Sequence, residues 1–297
     1  MSLRRLFRHV AALPPALWLG AFFALPFLIV LRISLSEKVT AQPPYRPILD
    51  LSAGWEGIGT FLSQLNLFNY STILDDELMW GAYVTSLRIA ALATLLTLLV
   101  GLMLALPMAR APRRLRPLLI MLLVLPFLTS FLIRAYAWIA ILKPEGLLNG
   151  LLMSLGLISE PLIVLNTETA ILIGIVYSYL PFMVFPLYTS LEKMDASLLE
   201  AAADLGATPL KSFFLVTVPC IWPGVLAGCA LVFIPAVGEF IIPDLLGSSE
   251  TLMIGRALWN EFFANRDWPL AAAMAICLLA VVLLPVIWQQ RQAETTR

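Results

Sequence analysis

Apolar residues gather along this chain in six long blocks, separated by shorter stretches that carry most of the charge. A helix needs about 20 predominantly apolar residues to cross the ~30 Å hydrocarbon layer of a bilayer. The blocks Val10–Leu31, Tyr83–Ala109, Leu115–Leu142, Ala170–Leu191, Val218–Ile242 and Pro269–Trp288 all reach that length. They predict an all-α, polytopic membrane protein with six transmembrane helices. The first block follows Arg4, Arg5 and Arg8, as a signal peptide would. Its apolar run is longer than the usual ~7–15-residue secretory core, and no small-residue cleavage site follows, so it reads as a retained span.

Composition agrees. Of 297 residues, 60% are hydrophobic and 13% charged, against roughly 45–50% and 25% in soluble domains. Mean hydropathy is +0.90. Disorder requires the opposite balance. With 19 basic and 19 acidic residues there is no basic footprint for nucleic acid. Cys220, Cys229 and Cys277 show no C-x-x-C spacing and read as small buried hydrophobes. His9 is the only histidine, so no metal site is expected.

Lysine and arginine in the connections set the orientation. The Arg110–Arg116 turn is the densest group and marks the cytoplasmic side. This places residues 1–9 in the cytoplasm as a basic N-terminus, residues 10–291 as one transmembrane domain, and 292–297 as a cytoplasmic tail. Ser34–Gly81 becomes a long outer segment, rich in proline and glycine, with one short surface helix expected. Lys143–Thr169 is a shorter outer loop.

The inner segment 192–217 does not read as a loop. Ser197 followed by Glu200 fits a capping box. Ala201, Ala202 and Ala203 are strong helix formers. Gly206 supplies a left-handed closing position, and Thr208-Pro209 starts a second helix. Leu198, Leu199, Ala202 and Leu205 give the first helix an apolar side; Glu200 and Asp204 rim it with acid. Segments that lie on lipid headgroups favour Lys and Arg instead. A helix that docks into the groove of a cytoplasmic protein is the better account.

The pattern Glu200-Ala201-Ala202, then Gly206, then Val216-x-Val218-Pro219, resembles the EAA loop of binding-protein-dependent ABC importer permeases. Val216 and Val218 stand where Ile and Leu are usual. Further stretches, Ser130–Trp138, Leu180–Met183, Phe233–Phe240 and Asn265–Pro269, resemble the polyamine branch of that family, the putrescine/spermidine permease subunits. The resemblance implies a type I importer fold in the bacterial inner membrane, with both termini cytoplasmic and a coupling helix between spans four and five. It implies Glu200, Ala201, Ala202, Asp204 and Gly206 as coupling residues. It also implies a separate ATPase dimer that binds ATP and Mg, a second homologous permease, and an extracytoplasmic polyamine-binding protein. This chain has no G-x-x-x-x-G-K-[ST] phosphate loop, so no cofactor is expected in it and it is not expected to be an enzyme.

Glu239 is the one carboxylate inside a predicted span. Such groups are costly and usually face a bundle interior or water. Pro235, Gly238 and Pro243 interrupt the helix around it. A polyamine ammonium would suit a carboxylate among aromatics, and Tyr136, Trp138, Tyr177 and Tyr179 are candidates for that wall. An ion pair of Glu239 with Arg134 or Arg88 is the competing account. Two other functions stay open at this point: an importer of the same type for another small solute, and an ion-coupled secondary transporter.

Overall fold

The computed structural model describes residues 13–48, 54–248 and 250–295. The basic segment 1–9, positions 10–12 of the first predicted span and the end of the 292–297 tail lie outside the described residues. The chain begins with helix α1 (Leu13–Ser34), a small hairpin of β1 (Glu37–Lys38) and β2 (Tyr45–Arg46), α2 (Gly54–Ser63) and α3 (Phe68–Asp75). Then come α4 (Glu77–Arg110), α5 (Arg116–Leu128), α6 (Phe131–Leu142), α7 (Leu147–Ser154) and α8 (Glu168–Glu192). The remainder is α9 (Ser197–Asp204), α10 (Pro209–Val237), α11 (Ile241–Leu246), α12 (Ile254–Trp259) and α13 (Trp268–Thr295).

Among the described residues, α1, α4, α8 and α10 are each long and apolar enough to cross a membrane. Helix α13 is apolar over Trp268–Leu283. The third predicted span, 115–142, is not one helix. Arg116–Leu128 and Phe131–Ser154 meet at 88°, and together they have the length and composition of one further span. The break has a local cause: the last turn of α5 tightens to a 3₁₀ turn at Leu125–Leu128, and Thr129 and Ser130 are extended. Pro126 lies in that turn and removes a backbone donor.

Two other boundaries move. The fifth predicted span was expected to run to Ile242, but α10 ends at Val237 with Gly238 as its cap. Among its described residues, the segment 34–81 carries two short helices and a hairpin instead of a single helix. Polar contacts organise it. The Asn69 side chain donates to the carbonyls of Ser34 and Ser36, at 2.9 and 2.8 Å. The Arg32 guanidinium lies over the Phe61 ring, 4.9 Å from its centre.

The chain divides into two compact units. One holds residues up to Trp80 together with those from Ala257 onward; the other is Gly81–Arg256. All the candidate site residues belong to the second. Its centre is the pairing of α8 with α10. Lipid tails are as apolar as leucine, so helices in a membrane associate through close van der Waals packing over small residues. Gly224 and Gly228, four apart on α10, provide that surface. A Cβ at Gly224 would lie 2.6 Å from the Pro186 carbonyl, and one at Gly228 would lie 2.7 Å from the Met183 sulfur. Around this seam Met183, Val184, Leu187, Ile221 and Val232 are buried.

Candidate functional site

The first candidate site is the α9 segment. Helix α9 forms where the alanines predict it, but the capping box does not. Ala196 is the N-cap, no side chain caps the helix, and Asp195 Oδ1 instead accepts the Ser197 N–H at 3.0 Å. That bond holds the Asp195 carboxyl below its ordinary range. An aspartate two residues ahead, forming a turn with its own downstream amide, outcompeted the serine hydroxyl. The C-terminus closes as the glycine predicts. Gly206 sits at φ +78°, its N–H donates to Ala203 O at 2.8 Å, and the Ala207 N–H donates to Ala202 O at 3.0 Å. These are the two bonds of a Schellman cap.

The faces of α9 divide differently from the expected apolar side. Ala202 is buried against its own chain, and Leu199 lines a cavity of about 250 Å³ beside Leu106, Ala109 and Thr217. Leu198 and Leu205 turn outward instead, Leu205 with 89% of its surface exposed. Glu200, Ala201, Asp204 and Gly206 are exposed beside them. The helix therefore presents an apolar and acidic edge that its own chain leaves uncovered. The Thr208 hydroxyl accepts the Lys211 N–H at 3.4 Å and starts the next helix, as the Thr-Pro pair predicts.

The second candidate site surrounds Glu239, which is buried at 8% exposure. One carboxylate oxygen, Oε1, accepts the N–H groups of Phe240, Ile241 and Ile242 at 3.2, 3.0 and 3.4 Å. It thus caps the restart of the chain as α11, where free N–H groups and the helix dipole favour a negative charge. The other oxygen, Oε2, accepts the Tyr179 hydroxyl at 2.5 Å. Neither expected arginine partner is the group that holds it. Arg88 pairs with Glu168 at 2.5 Å. Arg134 donates to Pro126 O at 3.2 Å and lies over the Phe127 ring at 4.6 Å.

Of the aromatic candidates, Tyr179 alone hydrogen-bonds Glu239, and its ring neighbours Phe182 at 6.1 Å. Trp138 and Tyr177 form a second group, edge to face at 5.4 Å, with Phe127 at 5.9 Å from Tyr177. Tyr177 and Phe127 line an apolar cavity of about 430 Å³ together with Leu104, Met108, Leu123 and Leu180. Tyr136 is 59% exposed. Cys220 is exposed rather than buried, while Cys229 and Cys277 are half-buried. The glycine seam on α10 is the feature that the sequence reading missed; its signal was the spacing Gly224-x-x-x-Gly228.

Comparison with known proteins identifies the family and the fold. Residues 97–297 match the family described as binding-protein-dependent transport system inner membrane component. The spermidine/putrescine transport system permease protein PotB of Escherichia coli is 44% identical over 275 residues, spanning 92% of this chain and 93% of that protein. The Haemophilus influenzae protein of the same name is 40% identical over 267 residues, covering 90% and 87%. Among solved structures, a bacterial ABC transporter involved in import of the acidic polysaccharide alginate superposes with a TM-score of 0.69 at 18% identity. That match covers 98% of this chain and 96% of the other, and it establishes a shared fold.

Proposed function

This chain belongs to the binding-protein-dependent transport system inner membrane components, and from that premise we propose that it is one permease subunit of an ATP-driven ABC importer for polyamines, putrescine or spermidine. Family membership makes it a multi-pass inner membrane transport subunit that works with a binding protein. The polyamine assignment is supported by the two PotB relatives, which span about nine-tenths of the chain. Putrescine leads, because a compact diamine suits a single buried carboxylate. The orientation follows the Arg110–Arg116 turn, with both termini in the cytoplasm.

The observation that carries the ATPase-driven reading is α9 itself. Leu198 and Leu205 stay exposed and are rimmed by Glu200 and Asp204, an apolar and acidic edge that would lose water contact only against a docked partner. Ala201 permits close approach, and Gly206 at positive φ fixes the angle at which the helix leaves its groove. The partner is an ATPase dimer, which binds ATP and Mg and closes on hydrolysis cycles. Its movement pulls on α9, and a second, homologous permease completes the pathway. Ligands reach that pathway from an extracytoplasmic binding protein.

In the substrate path, Tyr179 and Glu239 form the polar station, with Tyr136, Trp138 and Tyr177 as aromatic wall. The Glu239 carboxylate is closed off by the Tyr179 hydroxyl, so an ammonium group reaches it only when that hydroxyl swings away. Aromatic faces and a carboxylate both favour a cation over an anion. The test is reconstitution of this chain with its ATPase, partner permease and binding protein in liposomes. ATP-dependent accumulation of labelled putrescine or spermidine is expected. Accumulation without ATP by this chain alone would overturn the proposal in favour of a secondary transporter.

A further inference from the structure

Motion at α9 must reach the rest of the chain through what α9 touches. Ala202 packs against its own chain, but Leu199 and Ala196 face a cavity of about 250 Å³ that has Leu106 and Ala109 of α4 on its other side. A void transmits little force, because its lining atoms have no partners across it. The same cavity is edged by two charged groups that do meet. Arg116, at the first position of α5, donates from Nη1 to Oε1 of Glu192, the last residue of α8, at 3.0 Å. The Arg116 Nε also donates to the Ala111 carbonyl at 2.9 Å. One guanidinium therefore ties three pieces together: the turn after α4, the start of α5, and the end of α8 just before the coupling segment.

The neighbourhood strengthens that tie. Tyr188, one turn back on α8, stands beside both Arg116 and Glu192 and is buried in the α8–α10 core. Arg116 is the better buried partner, with 24% of its side chain exposed against 45% for Glu192. A fork-shaped guanidinium held at two donors has fixed geometry, which a lysine could not reproduce. Ordinary surface ion pairs contribute little to stability. A pair placed at a mechanical joint has a different job.

We propose that Arg116 and Glu192 are a positioning pair that makes α5, the inner half of the broken third span, follow the coupling segment. When α9 is drawn by its partner, α8 shifts at Glu192, and the guanidinium carries α5 with it across the cavity. Loss of the pair leaves α9 free to move while α5 lags, so ATP is spent without a matching change in the pathway. This rests on the importer reading above and adds the route by which the stroke leaves α9.

The experiment uses the whole reconstituted complex and measures polyamine accumulated per ATP hydrolysed. Arg116→Glu is expected to assemble and hydrolyse ATP while its transport-to-hydrolysis ratio falls about fivefold or more. Glu192→Gln is expected to lower the same ratio in the same direction. Combining Arg116→Glu with Glu192→Arg restores the attraction with the charges exchanged and should recover at least half of the ratio. Single variants with an unchanged ratio would overturn the proposal. So would a loss of assembly or ratio that the exchanged pair does not recover, since that would make the contact merely structural. If the unaltered complex shows no ATP-driven uptake, the importer reading itself has failed, which is a separate outcome.

Discussion

The Tyr179 hydroxyl donates to Oε2 of Glu239 at 2.5 Å, tying the middle of α8 to the point where α10 stops and α11 begins. The other oxygen of the same carboxylate holds three backbone N–H groups. One side chain therefore does two jobs, and they separate by substitution. Glu239→Ala removes the cap and should cost about 0.5–2 kcal/mol, as lost helix caps do. Glu239→Gln keeps an oxygen for the N–H groups but loses the charge. It turns the Tyr179 contact into a neutral hydrogen bond donated by the glutamine amide, so a thermal midpoint between those of the unaltered and Tyr179→Phe proteins is expected, while uptake at limiting putrescine drops severalfold. Equal uptake by the glutamine variant would remove Glu239 from the substrate path.

Tyr179→Phe separates the gate from the cap. A hydrogen bond to a charged group is worth ~1.5–3 kcal/mol, so the phenylalanine variant should unfold at lower temperature and open Glu239 to water. Uptake measured at high and low putrescine should show a raised half-saturation concentration. An unchanged value in both respects would mean that the hydroxyl is a bystander.

Gly206 is tested through its backbone. At φ +78° a Cβ is strained by roughly 1–2 kcal/mol. Nothing stands within 4 Å of a Cβ placed there, so the strain is conformational and not steric crowding. Gly206→Ala should reduce ATP-driven uptake, and Gly206→Pro should abolish it or break the complex. Normal uptake in the proline variant would count against α9 as the coupling element.

Leu205 tests docking without touching the fold. It is 89% exposed in this chain, and exposed substitutions usually stay within about 0.5 kcal/mol. Leu205→Asp is therefore expected to leave the chain's own thermal midpoint in place and to reduce the ATPase that co-purifies with it in mild detergent. Full recovery of the ATPase would show that this edge is not the docking surface.

Asp195 fixes a pH window for the start of α9. Its carboxyl is held low by the Ser197 N–H. A group depressed in the folded state stabilises above its ordinary pKa and loses that contribution only as pH falls through the depressed value. From pH 8 down to pH 5 the Ser197 amide should therefore keep the same protection against hydrogen exchange, after correction for the intrinsic rate. Asp195→Ala should lose that protection across the whole range.

Much of this molecule is legible from residue order alone. Long apolar runs must become helices in a bilayer, because no other way exists to satisfy their backbone groups there. That logic locates α4, α8 and most of α10, and the alanine run closed by Gly206 locates α9, because these signals are local. The third span looks continuous in the sequence for the opposite reason. Pro126 and the extended Thr129–Ser130 pair sit inside an apolar block whose hydropathy hides the break.

What the tertiary structure alone decided is who meets whom. Arg88 and Arg134 look equally able to pair with Glu239, yet Arg88 takes Glu168 and Arg134 settles over Phe127. Glu239 instead finds backbone N–H groups left free because α10 ends at Val237, two residues before it. Likewise, nothing in the local sequence brings Arg116 to Glu192, 76 residues away. Hydrophobic length and turn chemistry are written along the chain, so order fixes the helices; pairing depends on distances across the bundle, which only packing, as at Gly224 and Gly228, can set.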